Sequence, residues 1–148
     1  MIIRKATRQD VKDLYELYMK HLTSFPPVEE QDLGVWSEKL TRFETDPLYH
    51  ILVGEVENRV VSSVTLVIIE NLTHNLRPYA LIENVVTHSD YRNKHYATEL
   101  MNRASDIAKE YGCYKVMLLT GSKRDSTIRF YENCGFKKDE KTGFIKRL

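Results

Sequence analysis

Glu83-Asn84-Val85-Val86-Thr87-His88-Ser89-Asp90-Tyr91-Arg92-Asn93-Lys94-His95-Tyr96-Ala97 reads as the end of an apolar strand, a short basic loop and the first turn of a helix. Upstream, the strand begins near Tyr79. Downstream, Ala97, Leu100, Met101, Ala104, Ala108 and Tyr111 recur on one helical stripe that stops at Gly112, a residue suited to the left-handed position after a helix. Tyr114 to Leu119 then reads as another strand. Strand, helix and strand make a βαβ unit, whose two strands run parallel. Ligands of open α/β sheets gather beyond the carboxyl ends of such strands. Here that place is the loop from His88 to His95, where backbone N–H groups, a helix N-terminus, Arg92 and Lys94 converge. The arrangement suits a phosphate-bearing ligand. A plain strand–helix turn with exposed basic residues explains the same composition.

The remaining elements follow from periodicity. Ile2 to Lys5 is a short strand. Thr7 and Asp10 resemble a capping box, and Val11, Leu14, Tyr15, Tyr18 and Leu22 predict a helix over 8–22. Pro26-Pro27 breaks the chain. Leu33, Trp36, Leu40 and Phe43 mark a second helix that stops before Asp46-Pro47. Tyr49 to Val56 and Val60 to Ile69 are β-branched strands joined by a turn at Glu57-Asn58-Arg59. Asn71 to Pro78 is a polar loop. Residues 124–134 form a short helix ended by Gly135. Phe136 to Lys138 and Gly143 to Lys146 predict a closing hairpin or bent strand.

A chain of 148 residues with no linker or repeat is expected to form one domain, residues 1–148. The net charge of +1 lacks the basic excess of a nucleic-acid binder, so no nucleic-acid partner is expected. The longest apolar run, Val64 to Ile69, is too short to span a membrane, and no secretory pattern precedes Arg4. Two cysteines, Cys113 and Cys134, form neither a CxxC pair nor a disulfide framework. A cytoplasmic protein with reduced thiols is expected. His21, His50 and His74 show no metal-ligand spacing, so no metal is expected.

Val85-Val86 followed by Tyr91-Arg92-Asn93-Lys94-His95-Tyr96-Ala97 resembles the acetyl-CoA loop of the GNAT superfamily of N-acetyltransferases. Phe130-Tyr131-Glu132-Asn133-Cys134-Gly135-Phe136 resembles that family's later helix-to-strand signature. The order and spacing of elements match over nearly the whole chain. The resemblance implies an α/β fold: a mixed, mostly antiparallel sheet flanked by helices, with a central parallel pair of strands splayed by a bulge to hold CoA. It implies an acyltransferase, with acetyl-CoA as co-substrate, that moves an acetyl group to a primary amine of a small molecule or peptide by direct attack in a ternary complex. Val85, Val86, Arg92, Asn93, Lys94, His95, Tyr96, Ala97, Thr98 and Ser126 are then the expected cofactor-binding residues, with the Val86 N–H polarising the thioester carbonyl. One departure stands out. The family loop carries glycines where this chain has Asn93, His95 and Ala97. Glycine lets backbone approach phosphate closely and adopt unusual torsions. Ordinary helical torsions at His95 would cost nothing; left-handed ones would weaken cofactor binding, and the imidazole would otherwise add a contact.

Acyl transfer to an amine needs a neutral amine, a stabilised oxyanion and a protonated leaving thiolate. Tyr131 is the candidate acid, against the alternative of an amphipathic packing residue. Glu83 is the candidate base: it lies in an apolar strand, on the same face as Leu81 and Val85 unless a bulge intervenes, where a carboxylate needs a partner or a task. A structural carboxylate and a water relay are the alternatives. His88 reads as a surface histidine, Cys134 as a small buried thiol, and Lys123 and Arg124 as solvated charge, with Ser126 and Thr127 in place of the family's frequent Asn.

By the same resemblance, the acceptor wall comprises Phe25-Pro26-Pro27, Trp36 and Thr73 to Tyr79. Val61 to Val86 and Gly112-Cys113-Tyr114-Lys115 resemble glucosamine-phosphate N-acetyltransferases, which makes an amino-sugar phosphate a subordinate expectation. A catalytically silent acyl-CoA-binding regulatory module is the alternative function. Homodimers are open by resemblance, with no interface specified.

Overall fold

Five strands pair in chain order in the computed structural model, which describes residues 1–22 and 31–148. They are β1 (Ile2–Lys5), β2 (Tyr49–Val56), β3 (Arg59–Ile69), β4 (Tyr79–Thr87) and β5 (Val116–Leu118). The first four run antiparallel to their neighbours, and β5 runs parallel to β4. The helices are α1 (Val11–Leu17), α2 (Leu33–Thr45), the one-turn α3 (Thr73–Leu76), α4 (Tyr96–Glu110) and α5 (Asp125–Asn133).

Helices cover both faces of the sheet. On one face Leu100, Met101, Ala104 and Ala108 of α4 pack on Leu52, Val64, Leu66 and Ile82. On the other, Leu14, Leu17 and Leu40 of α1 and α2 pack on Ile51, Val53, Val60 and Val86. This is why β3 carries a near-continuous apolar run rather than alternation: Val61, Val64 and Leu66 are wholly buried at its centre.

The expected helix over 8–22 is three pieces. Thr7 and Asp10 close a capping box over a tight turn at Arg8–Asp10, α1 follows, and Tyr18–Leu22 widens into a five-residue π-type turn. The β2–β3 turn is tighter than expected. Glu57 and Asn58, at φ 51° and 62°, form a two-residue turn of the mirror-image kind that matches strand twist. α3 is a left-handed turn, with His74, Asn75 and Leu76 all at positive φ.

The closing hairpin does not form. From Cys134 onward there is neither helix nor strand, so β5 is the sheet edge and the parallel pair is the outer one rather than central. Phe144 and Ile145 of the tail are both exposed.

Candidate active site

β4 changes direction in its middle. Ser63 pairs with Val86 and Thr65 with Glu83, so Asn84 and Val85 together stand opposite Val64. Asn84 absorbs the extra residue at φ 52°, in the left-handed region that Asn tolerates best among residues with side chains. Pairing with β5 runs from Ala80 to Ile82 and stops there, just before the bulge. The expected bulge is present, and pairing between β4 and β5 ends just ahead of it.

The bulge also reassigns faces. Val85 packs with the α4-side core and Val86 with the α1/α2-side core. Glu83 pairs across from Thr65, and cross-strand partners share a face. Glu83 therefore looks to the α1/α2 side, away from Val85 rather than beside it. It is exposed, so the expected cost of a buried carboxylate does not arise.

The loop keeps the backbone of a glycine-rich turn without the glycines. Asn93 lies at φ 62° and His95 at φ 61°, both left-handed. For His95 this conformation costs about 1 kcal/mol. The N–H groups of Tyr96, Ala97 and Thr98 open the 15-residue α4 and have no hydrogen-bond acceptor among the described residues, while Glu99 N–H begins the helical ladder by donating to His95 O at 3.0 Å. A concave row of free donors at a positive helix end results. Arg92 and Lys94 frame it differently than their charges alone imply. Arg92 Nε donates to Thr87 O at 3.2 Å, and Lys94 Nζ lies over the Tyr91 ring at 4.9 Å from its centre.

His88 is buried, not a surface residue. Its ring stacks on His21 at 4.1 Å between centres, its Nδ1 accepts from Asp90 N–H at 3.2 Å, and Arg59 Nη2 lies 3.4 Å from its Nε2. His21 Nδ1 accepts from Ser89 N–H at 3.3 Å. The two imidazoles thus hold the start of the loop. Nothing local in the sequence signals this, because His21 comes from the end of the first helical segment.

Tyr131 lies on α5, half-buried, packed against the α4-side core with Cys134 and Val85. Its hydroxyl has no hydrogen-bond partner among the described residues. Burial first, then Cys134 and the charge of Glu83, push its phenol above the usual 10.0. Burial pushes the Cys134 thiol up, against a lowering influence of Thr98 in the first turn of α4. Cys134 is a half-buried thiol, as expected. Ser126, Lys123 and Arg124 are exposed, and Thr127 Oγ1 is engaged by Ser122 at 3.1 Å.

On the α1/α2 face a cavity of about 780 Å³ reaches the bulge. Its walls are Leu14, Tyr18, Val35, Trp36, Leu40, Phe43, Tyr49 and Ile51, and its polar lining is Gln31, Asp32, Lys39, Thr65 and Asn84. Of the expected acceptor wall, Trp36 is here. Thr73 to Tyr79 lies at the far end of the sheet and does not line it, and Phe25-Pro26-Pro27 lies outside the described residues. Glu83 raises the phenol of Tyr49 as well as that of Tyr131, burial being the larger cause in both.

Residues 11–136 match the profile of the Acetyltransferase (GNAT) family. The chain belongs to that family. Glucosamine 6-phosphate N-acetyltransferase of Trypanosoma brucei brucei is 28% identical over 94% of this chain and 90% of its own. A putative acetyltransferase from Agrobacterium tumefaciens superposes with a TM-score of 0.88 at 36% identity, covering 100% of both chains. Glucosamine-6-phosphate N-acetyltransferase from Arabidopsis thaliana shares the fold, with a TM-score of 0.80 at 21% identity over 99% of this chain and 97% of that one. As a GNAT member this chain is an acyltransferase of the N-acetyltransferase kind. No described helix is long and apolar enough to cross a membrane.

Proposed function

We propose that this GNAT protein transfers an acetyl group from acetyl-CoA to the primary amine of a small molecule held in the α1/α2-side cavity. The observation that supports the reading is the bulge in β4: the cavity reaches Asn84, Val85 packs on the same core as Tyr131, and the strand leads into the free-donor loop. Acetyl-CoA fits the cradle because a diphosphate needs close N–H donors, and Asn93 and His95 hold the left-handed torsions that expose them. Bound there, it supplies the activated acetyl group.

The chain's residues divide the remaining work. Tyr96, Ala97 and Thr98 N–H groups and the α4 dipole hold the pyrophosphate. The gap between β4 and β5 beyond Ile82 receives the pantetheine arm. His88 N–H donates to Val61 O at 2.9 Å, and alternation turns the Val86 N–H toward β3 as well. The N–H that faces the gap is then that of Val85, which takes over from Val86 as the donor to the thioester carbonyl. Glu83 accepts the proton that the amine gives up as the C–N bond forms, directly or through water. Tyr131 gives its phenolic proton to sulfur as the C–S bond breaks, and its raised pKa keeps that proton in place at neutral pH.

Glu83→Gln is expected to lower kcat/KM about 10- to 100-fold near neutral pH, with acetyl-CoA affinity unchanged. The deficit should shrink as pH rises toward the amine's own pKa, because the acceptor then arrives neutral. A deficit that does not change with pH would remove Glu83 as the base. His95→Gly is expected to tighten acetyl-CoA binding and leave thermal stability equal or higher, since glycine occupies the left-handed position without a steric penalty. Calorimetry reads this directly, and weaker binding would assign the imidazole a cofactor contact.

A silent acyl-CoA-binding module is the second reading, favoured by the absence of glycine at positions 93 and 95. Thiol release from acetyl-CoA, followed across a panel of primary amines, separates the two. The proposal expects amine-dependent release. Binding without release for every amine would favour the silent module.

A further inference from the structure

We infer that the cavity selects a primary amine carried on an apolar aromatic body, and rejects phosphorylated amino sugars. The inference rests on the proposed acetyl transfer, and it names the acceptor class.

The cavity walls are rings held in fixed positions. Phe43 and Tyr49 stack at 4.1 Å with their planes 12° apart. Trp36 meets Tyr15 edge-on at 5.2 Å and lies 6.1 Å from Tyr18. Pre-positioned aromatic walls favour a flat apolar body, and their faces also attract an ammonium group. The volume of about 780 Å³ exceeds what a bare alkylamine fills and lies in the usual range for small-molecule sites.

Polar groups stand at both ends of the cavity: Gln31, Asp32 and Lys39 on α2 and its approach, Thr65 and Asn84 at the bulge. Thr65 lies in the lining at the bulge, 1% exposed, with its hydroxyl beside that of Tyr18. Asn84 and the charge of Glu83 stand at the same end. One amine is therefore drawn to the bulge while the body stays among the rings.

A phosphate has no matching site. It calls for a fork of cationic donors. Among the described residues Lys39 is the single cationic side chain in the lining, and the Arg42 guanidinium is spent over the Phe43 ring at 5.4 Å. The connection from α1 to α2, Thr23 to Glu30, contains Glu29 and Glu30 and no Lys, Arg or His, so it supplies no cation whatever its course. Asp32 adds another carboxylate at the mouth. The described lining sets one cation against one carboxylate and offers no fork of cations to a phosphate dianion.

Trp36 is the single tryptophan of the chain and forms part of the wall, so its fluorescence reports occupancy without turnover. The experiment titrates the protein with 2-phenylethylamine, ethylamine and glucosamine 6-phosphate, and measures thiol release with each. The expected result is a saturable change with 2-phenylethylamine at roughly tenfold lower concentration than with either of the others, and the same order in kcat/KM. Phe43→Ala should weaken 2-phenylethylamine about tenfold, while Phe43→Leu keeps most of the affinity. Tighter binding of glucosamine 6-phosphate, or equal binding of ethylamine, overturns the inference. Preference for glucosamine 6-phosphate with ready thiol release would leave acetyl transfer standing. Tight binding of 2-phenylethylamine with no thiol release from any amine would do the reverse.

Discussion

Tyr131→Phe is expected to lower kcat at least 100-fold while leaving the acetyl-CoA dissociation constant within about twofold, the range a positioned proton donor contributes. The substitution removes one oxygen and keeps the ring. Tyr131 packs against the α4-side core and touches Phe130 at 5.0 Å between ring centres, and Phe preserves both contacts. Because the hydroxyl has no partner among the described residues, its loss leaves no acceptor orphaned in the fold. Stability should therefore stay at the wild-type value, and the loss should fall on the chemical step. The pH profile sharpens the test. Burial, reinforced by Cys134 and Glu83, lifts the Tyr131 phenol above 10.0, so the wild-type rate should show no downward limb from this group below that pH. Unchanged turnover in Tyr131→Phe would assign Tyr131 to packing.

Asp10→Ala is expected to cost about 3 kcal/mol of stability, the scale for removing one partner of a buried ion pair. Asp10 is 7% exposed. Both its oxygens take Arg4, Oδ2 from Nη1 and Oδ1 from Nη2, each at 2.7 Å, and Oδ2 also accepts the Thr7 N–H at 2.7 Å. Arg4 Nε continues to Glu55 at 2.9 Å, so the cluster ties β1, the entry to α1 and β2 together. Losing the carboxylate leaves Arg4 with Glu55 as its one anionic partner and uncaps the first turn. For a chain of this size the melting temperature should fall by about 10 °C. The linkage has a definite sign. Burial alone would raise the Asp10 pKa, but Arg4 and Thr7 outweigh it and hold it below the ordinary 3.8. The carboxylate thus contributes stability that is fully present above that value and is lost as pH falls below it. Asp10→Ala should flatten this acid limb while kcat at 20 °C stays near wild type, since the cluster lies away from the bulge. An unchanged melting temperature would show the cluster to be surface charge only.

The sheet and its helices were legible because their patterns are locally complete. The α4 stripe of Leu100, Met101, Ala104 and Ala108 is the buried stripe of the helix, and Gly112 ends it at φ 73°. The βαβ unit needed only that stripe and two apolar strands. The bulge was legible in part. Asn84, a residue that tolerates positive φ, sits where β4 bends, but its effect on which face Glu83 occupies depends on pairing with β3. The left-handed torsion of Asn93 suits a residue type that enters that region cheaply, whereas that of His95 was open, because His is not a residue that announces it. His88 was misread because its burial depends on His21, which tertiary packing brings to it. The tail was misread because Gly143-Phe144-Ile145-Lys146 has strand-like composition, yet Phe144 and Ile145 stay exposed and pair with no strand. The cavity lining was the least legible part. Trp36, Phe43, Tyr49 and Thr65 come from three elements, and each alone reads as ordinary core.

The central claim is that acetyl-CoA seats on the loop from Asn93 to Thr98. Isothermal titration of the wild-type protein with acetyl-CoA tests it most directly. The account predicts one site per chain with a micromolar dissociation constant, weakened about tenfold or more by Ala97→Glu, which sets a carboxylate against the diphosphate at the first turn of α4. No heat of binding to the wild-type protein, or an affinity indifferent to that substitution, would contradict it.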